Sequence, residues 1–413
     1  MGIDGIAALI ISMIIIFILI RFEFHVSIAT FIGALILALF SIGYNKIPFV
    51  FLNTILNMQT WRLIIIILLA IGLSIAMDKE GLLRKLAETL EKIGSRVALF
   101  AAPTLIGLVP MPAGALVSAS MVKDVAKRLG LNPEETTFLN YWFRHVMEYS
   151  WPIYQGIILT GVILSVSIGE VVKSLFFMTV ANAGIGLAIG HFFFKKQAVN
   201  KNNKTSTAAF SAKSFLREFI NASWPILLII ILVIVFEIDI SLSFAISLAM
   251  LIAIRRINRR ELVEILKKTF SLKIMFLPVA IIFYKTVVEH ADIAFLLFNT
   301  LFQYRIPEYI ITIILPFIAG FATGTSLAFV GIAFPLLIPI IGHGSINVGA
   351  LILAYVSGMA GLLLSPMHLC LILSVDYFKA NLYRTYKYVL PAVVSSEVIA
   401  LIAYFTYNYF FYT

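Results

Sequence analysis

Apolar blocks long enough to cross a bilayer, about 20 residues each, alternate with short polar joints along most of this chain. The pattern predicts spans near 5–21, 26–43, 62–78, 138–163, 171–194, 215–236, 240–254, 271–288, 348–373 and 388–411. Residues 5–20 lack a basic leader and a small-residue cleavage site, so they read as a first span and not as a removable signal. Two apolar stretches, 97–122 and 309–341, are cut near their middles, at Pro110-Met111-Pro112-Ala113-Gly114 and at Thr323-Gly324-Thr325-Ser326. A hairpin that enters the bilayer and leaves on the same side fits that pattern, because irregular backbone survives there only when buried in protein or facing a polar cavity. The alternative is a single kinked span.

The second half of the chain repeats landmarks of the first. Phe22-Glu23 lies four residues before Ser27, as Phe236-Glu237 does before Ser241. Thr89-Leu90 returns as Thr300-Leu301, and Pro103-x-x-x-Gly107 as Pro316-x-x-x-Gly320. Ser150-Trp151-Pro152 returns as Ser365-Pro366. The order is kept and the offset is nearly constant, as expected of internal duplication. The expected fold is therefore an all-α polytopic membrane protein of two repeats. The first covers 1–195, with scaffold helices over 5–78, hairpin 97–122 and an interrupted helix over 138–163. A polar, flexible linker covers 196–214. The second covers 215–413, with hairpin 309–341 and an interrupted helix over 348–373. Five spans per repeat is an odd number, so the two repeats should insert with opposite orientation.

Charge tests that orientation independently. Of the 31 Lys and Arg, the pattern leaves only Lys46, Arg62, Lys173 and Arg305 on one side and Arg144 and Lys285 inside spans; all others gather on the opposite side. The basic side should be cytoplasmic, which puts both termini outside. Counting a hairpin as a crossing would separate the clusters at Lys79 and Lys123. Hydrophobic residues make up 61% of the chain and charged residues 13%, against about 25% charged in soluble domains. The net charge of +10 sits in short loops, so nucleic acid is not an expected partner. The single cysteine, Cys370, permits no intrachain disulfide. Residues 79–95 are amphipathic and predict a helix along the membrane surface, with 290–304 as its repeat mate. Both either cushion headgroups or act as arms between a fixed scaffold and a moving part.

Four breaks carry the candidate chemistry: the hairpin tips and the interruptions at Ser150-Trp151-Pro152 and Ser365-Pro366. Proline removes an amide hydrogen bond and turns the residue before it out of helical conformation. A break at mid-depth leaves free amides, which favour anions, on one half-helix and free carbonyls, which favour cations, on the other. Candidate substrate-binding residues are thus Pro112, Ala113, Gly114, Ser150, Pro152, Thr323, Gly324, Thr325, Ser326, Ser365 and Pro366. Ser118 and Ser120 are expected to bond back to their own helix. Arg144 is either the counter-charge of an anion or a side chain reaching back to the interface. Candidates for a coupling ion, H⁺ or Na⁺, are Glu148, His145, His368 and Glu397. Glu148 could equally pair with Arg144, and Glu397 could serve as a helix–helix hydrogen bonder. His145-x-x-Glu148 has no second copy, so ligand count predicts no metal site, and no cofactor is expected.

At the hairpins and interrupted helices the chain resembles the ion-transporter superfamily, which includes gluconate, citrate and dicarboxylate carriers and arsenite-type pumps. Pro110-Met-Pro-Ala-Gly114 and Ser365-Pro-Met-His-Leu-Cys370 are also similar to a prokaryotic integral-membrane family placed in that group. The resemblance implies a homodimer in a prokaryotic plasma membrane, with transport domains sliding against scaffolds. Sodium-coupled dicarboxylate carriers of the group have Ser-Asn-Thr at each hairpin tip. Here the tips read Pro112-Ala113-Gly114 and Gly324-Thr325-Ser326, so the first lacks a side-chain amide and hydroxyls. The expected function is secondary active transport of a small organic anion. The alternatives are a membrane-embedded enzyme acting on lipid or peptide, and a channel or lipid translocator. No nucleophile–base pair or His-Glu-x-x-His supports the enzyme, and few polar residues are spaced to line a channel.

Overall fold

The computed structural model describes residues 2–22, 24–91, 97–108, 114–197, 212–270 and 272–411. Pro112 and Ala113 of the first hairpin tip, and most of the expected linker, lie outside the described residues. The described chain is helical and contains no strand.

Helices follow the hydrophobic blocks. The first half contains α1 (Gly2–Arg21), α2 (Val26–Ser41), α3 (Ile47–Leu56), α4 (Met58–Lys79), α5 (Leu82–Glu91), α6 (Ala98–Gly107), α7 (Gly114–Arg128), α8 (Pro133–His145), α9 (Gln155–Leu164) and α10 (Ile168–Gln197). The second half contains α11 (Ala212–Ile230), α12 (Ile240–Arg255), α13 (Arg259–Thr269), α14 (Leu272–His290), α15 (Ile293–Gln303), α16 (Glu308–Thr323), α17 (Ser326–Ile341), α18 (Val348–Leu364), α19 (Leu369–Phe378) and α20 (Leu382–Phe411). Element for element, the order recurs. α9 and α19 have 10 residues each, α10 and α20 have 30 each, and α2 and α12 have 16 each. Two helices were not anticipated from the apolar pattern. α3 is a short helix opened by Pro48, and α13 is a basic amphipathic helix that buries Ile265 and Thr269.

Packing between the halves comes in exchanged pairs. α2 packs on α14 as α12 packs on α4, α3 on α14 as α13 on α4, and α1 on α15 as α11 on α5. Likewise α7 packs on α19 as α17 on α9, and α8 on α20 as α18 on α10. The first five helices of each half thus interleave with one another, and so do the last five. α5 also touches α6 and α7, and α15 touches α17, so these two short helices bridge the groups.

Burial runs opposite to that of a soluble protein. Helix α8 from Glu135 to His145 is buried throughout, and so is nearly all of α18. The outer faces of α1, α10, α12 and α20 expose Ile10, Ile14, Phe176, Leu187, Leu242, Val398 and Ile402. An apolar rim around a partly polar interior is what a lipid solvent selects. Among the described residues five helices, including α4, are long and apolar enough to cross a membrane, and several shorter apolar helices surround them. This is the composition of a membrane protein.

Helix contacts rely on glycine where backbones touch. A Cβ on Gly107 would lie 2.4 Å from the Arg144 carbonyl oxygen, and one on Gly320 would lie 2.2 Å from that of Gly358. Gly107 and Gly320 are repeat mates, and so are Arg144 and Gly358. Both halves therefore use one glycine to seat the first hairpin helix against the interrupted helix. Close approach of this kind drives association where lipid and side chains are equally apolar.

Candidate functional site

Each interrupted helix starts from a strong cap. Asn132 accepts from the Glu135 amide while the Glu135 carboxylate accepts from the Asn132 amide, a reciprocal pair that starts α8 with Pro133 in its first turn. Asn347 caps α18 by accepting from the Ala350 amide at 3.0 Å. α8 stops at His145, where Val146–Tyr149 tighten into a 3₁₀ turn ahead of Ser150 and Pro152. α18 stops at Leu364, ahead of Ser365 and Pro366. The continuations, α9 and α19, begin at Gln155 and Leu369. Neither start has a side-chain cap; α9 starts among buried residues, whereas Leu369, the first residue of α19, is 57% exposed beside the buried His368. Uncapped amides at a buried helix start are available to a ligand.

The two breaks cross. The Tyr141 hydroxyl on α8 donates to the Leu363 carbonyl at 3.0 Å, and the Tyr355 hydroxyl on α18 donates to the Glu148 carbonyl at 3.0 Å. Each tyrosine thus satisfies a carbonyl at the other half's break. The second hairpin tip enters the same crossing. A Cβ on Gly156, at the start of α9, would lie 2.9 Å from the Ser326 Cβ at the start of α17. Gly324, with φ +63°, lies so near the His368 backbone that a Cβ would approach its Cα to 3.1 Å. Position 324 therefore requires glycine both for backbone conformation and for space. The starts of α9, α17 and α19 converge, with Thr325 capping α17 through the Ala328 amide at 3.4 Å.

Ionisable side chains gather beside these starts. His145 and His368 face each other with their Nε2 atoms 2.9 Å apart. The Nδ1 of His145 is 2.7 Å from the Tyr141 carbonyl oxygen, and that of His368 is 2.7 Å from the Gly324 carbonyl oxygen. A carbonyl oxygen only accepts, so each Nδ1 carries a hydrogen and donates it. Two neutral rings so fixed would point lone pairs at each other through Nε2. The 2.9 Å approach therefore calls for a cation between them: a proton on one ring, or a metal ion. Glu148 Oε1 lies 3.8 Å from His145 Nε2. The Cys370 thiol completes the group, for donor atoms of His145, His368 and Cys370 all lie within 4.8 Å of one another. All four come from the breaks.

The remaining sequence candidates divide. Arg144 does not reach for the interface; it is 4% exposed and donates to the Ile106 carbonyl of the first hairpin at 3.1 Å. Ser150 turns away from the crossing and bonds to Thr179 on α10 at 2.6 Å. Ser365 is buried and accepts from the Met367 amide at 3.2 Å. Thr323 donates to the Ala319 carbonyl within its own helix and accepts from the Thr325 amide. Ser118 and Ser120 bond back to their own helix. Gly114 opens α7 and is buried. Glu397 stands apart on α20, where one carboxylate oxygen accepts from Ser357 of α18 and the other is buried without a partner. A surface cleft of about 840 Å³ between Glu308, Asn347 and the end of α20 contains none of these residues.

Sequence reasoning missed Cys370 and Tyr154. The signal for Cys370 was local: His368-x-Cys370 sits at a helix start that a proline creates. Tyr154 matches His368 in the repeat, and its hydroxyl donates to the Gly107 carbonyl as His368 binds the Gly324 carbonyl.

The chain belongs to the family described as protein of unknown function (DUF401), which matches residues 4–407. No protein of curated function matches it in sequence.

Proposed function

We propose that this protein is a secondary active transporter that carries a small organic anion together with H⁺ or Na⁺. It is built from two inverted repeats of five transmembrane helices and works by elevator-type alternating access. The observation that carries this reading is the convergence of three helix starts, α9, α17 and α19, where two interrupted helices cross. Two of those starts lack side-chain caps. Amide-rich helix starts attract an anion, and paired breaks at matching places in two halves mark a carrier's binding site.

The exchanged packing supports alternating access. When two halves make the same contacts in swapped order, a modest difference between their conformations can be traded from one to the other. Inward-open and outward-open states then have similar energies. α1–α5 with α11–α15 would form the scaffold, and α6–α10 with α16–α20 the moving part. The bridging helices α5 and α15 would be its arms. The charge split of the sequence supports an orientation with the basic loops in the cytoplasm and both termini outside. The resemblance of the hairpins and interrupted helices to the ion-transporter superfamily supports the same reading.

Glu397 is our candidate for a coupling proton. One carboxylate oxygen is buried without a partner, an arrangement that suits the protonated acid in a low-dielectric interior.

Uptake into proteoliposomes tests the proposal. A panel of labelled small carboxylates and inorganic anions is offered with and without imposed H⁺ and Na⁺ gradients. The expected result is saturable, gradient-dependent uptake of one class. Pro366→Ala and Ser326→Ala should abolish it without loss of expression. If H⁺ is the coupling ion, Glu397→Gln should remove the dependence on a pH gradient. Non-saturating flux indifferent to both gradients would refute the proposal.

A further inference from the structure

We propose that His145, His368 and Cys370 form a binding site for Zn²⁺, with the Glu148 carboxylate as a fourth donor. Ligand counting within one segment predicted no such site, because the donors come from two breaks more than 200 residues apart in sequence. The fold unites two buried imidazoles and a partly buried thiol within 4.8 Å of one another, and sets the Glu148 carboxylate 3.8 Å from one of the imidazoles.

Several features favour a metal over a proton alone. Both histidines present Nε2 to the shared point and donate Nδ1–H to a backbone carbonyl at 2.7 Å. That outer hydrogen bond is the usual way a protein fixes the tautomer of a metal-binding histidine. A shared proton would account for the 2.9 Å between the rings; a metal would in addition engage the thiol, which lies beside His145 and Arg144. Zinc bonds of about 2.0–2.3 Å define a tetrahedron with edges of about 3.3–3.7 Å. The donor separations, from 2.9 Å to at most 4.8 Å among the histidines and cysteine, bracket that edge, and the Glu148 contact of 3.8 Å is close to it. A nitrogen- and sulfur-rich donor set disfavours Na⁺, Mg²⁺ and Ca²⁺, which select oxygen, and suits Zn²⁺. Charge agrees as well. A thiolate and a carboxylate offset the dication, and the buried Arg144 guanidinium beside Cys370 favours the thiolate form that a metal needs.

The pocket is rigid for structural reasons. His145 is the last residue of α8, His368 precedes the first residue of α19, and Cys370 is the second residue of α19. The glycine at 324, with its positive φ, holds the carbonyl that orients His368. Bound metal would pin α8 to α19 across the crossing, so metal binding should also raise thermal stability.

Full-length protein purified in detergent and stripped with a chelator is titrated with Zn²⁺ against a chromophoric competitor. The expected result is one Zn²⁺ per chain. His145→Gln and His368→Gln should each weaken binding by more than about tenfold, a change of more than about 1.4 kcal/mol. His191→Gln, an exposed site on α10, should leave it unchanged. Because buried histidine variants can misfold, Co²⁺ substitution supplies a second readout. The native protein should give a tetrahedral visible spectrum with a thiolate charge-transfer band, and Cys370→Ser should lose that band while keeping its helical circular dichroism. Absence of stoichiometric binding would overturn the site, leaving a shared proton between the rings. Binding of equal strength in the His368→Gln variant, or a cobalt spectrum indifferent to Cys370→Ser, would also overturn it. None of these readouts depends on transport.

Discussion

The two crossings of backbone at the centre of the molecule are built alike and furnished differently. In both, a hairpin glycine, Gly107 or Gly320, lies against a carbonyl of an interrupted helix, and a tyrosine, Tyr141 or Tyr355, bonds across to the other break. Yet the first break carries Arg144, His145 and Glu148, where the repeat positions of the second carry Gly358, Met359 and Leu362. The comparison separates two demands. Main-chain geometry is kept in both copies because each must present helix starts to a common centre. Ionisable chemistry is shared out instead: the first break supplies Arg144, His145 and Glu148 and the second His368 and Cys370, so one cluster is assembled from both halves and the desolvation cost of a second is avoided.

The largest effects should follow from disturbing what the copies share. Gly107→Ala and Gly320→Ala each force a Cβ against a backbone oxygen, and each should destabilise by about 1–3 kcal/mol, read as a lowered melting temperature in detergent. The two effects should be similar in size. A tolerated Gly320→Ala beside a damaging Gly107→Ala would mean that the seats are not equivalent. Gly184, on α10, has no atom within 4 Å of a Cβ position and is the control. Gly184→Ala should be neutral or raise stability by up to about 1 kcal/mol.

Tyr141→Phe and Tyr355→Phe should come next, at about 1–2 kcal/mol each, because each removes a neutral hydrogen bond to a carbonyl at a helix end. The double variant should cost nearly the sum if the bonds act independently.

The smallest effect should come from the periphery. Arg62 on α4 donates to Asp239, which also caps α12 through the Ser241 amide at 2.8 Å. Burial alone would raise the carboxyl, but the bonds from Ser241 and the charge of Arg62 outweigh it and hold Asp239 below the usual carboxylate range. A depressed folded value means that the contribution is complete above the unfolded value, about 3.9, and is lost as pH falls through the folded one. Asp239→Asn, which keeps a capping side chain, should cost less than about 1 kcal/mol at neutral pH and nothing in strong acid. A melting curve that shifts equally at both pH values would remove the ion pair from the account.

Much of this was legible in the sequence because lipid enforces simple rules. Every span appears as a helix, and the interruptions at Pro152 and Pro366 lie where proline disallows continuation. The second hairpin stretch divides at the Gly324 turn; Pro112 and Ala113 at the tip of the first lie outside the described residues. α3 escaped because a helix of 10 residues beside a longer span leaves no separate hydropathy signature. α13 escaped because its basic face reads as a loop. The cluster escaped for a different reason. Cys370 has meaning only beside His145, and no local pattern reports a contact made between halves. The same holds for Tyr141 and Tyr355, whose shared repeat position was visible but whose crossed bonds were not.

Accessibility of single cysteines in intact cells tests the central claim, that the halves are inverted about a common centre. In a Cys370→Ala background, cysteines replace the exposed Lys85, Arg260, Lys46 and Arg305 one at a time. The account predicts that positions 85 and 260 react only when the cytoplasmic face is opened to the reagent, and that 46 and 305 react from outside. Labelling of 85 and 260 from opposite faces would contradict it.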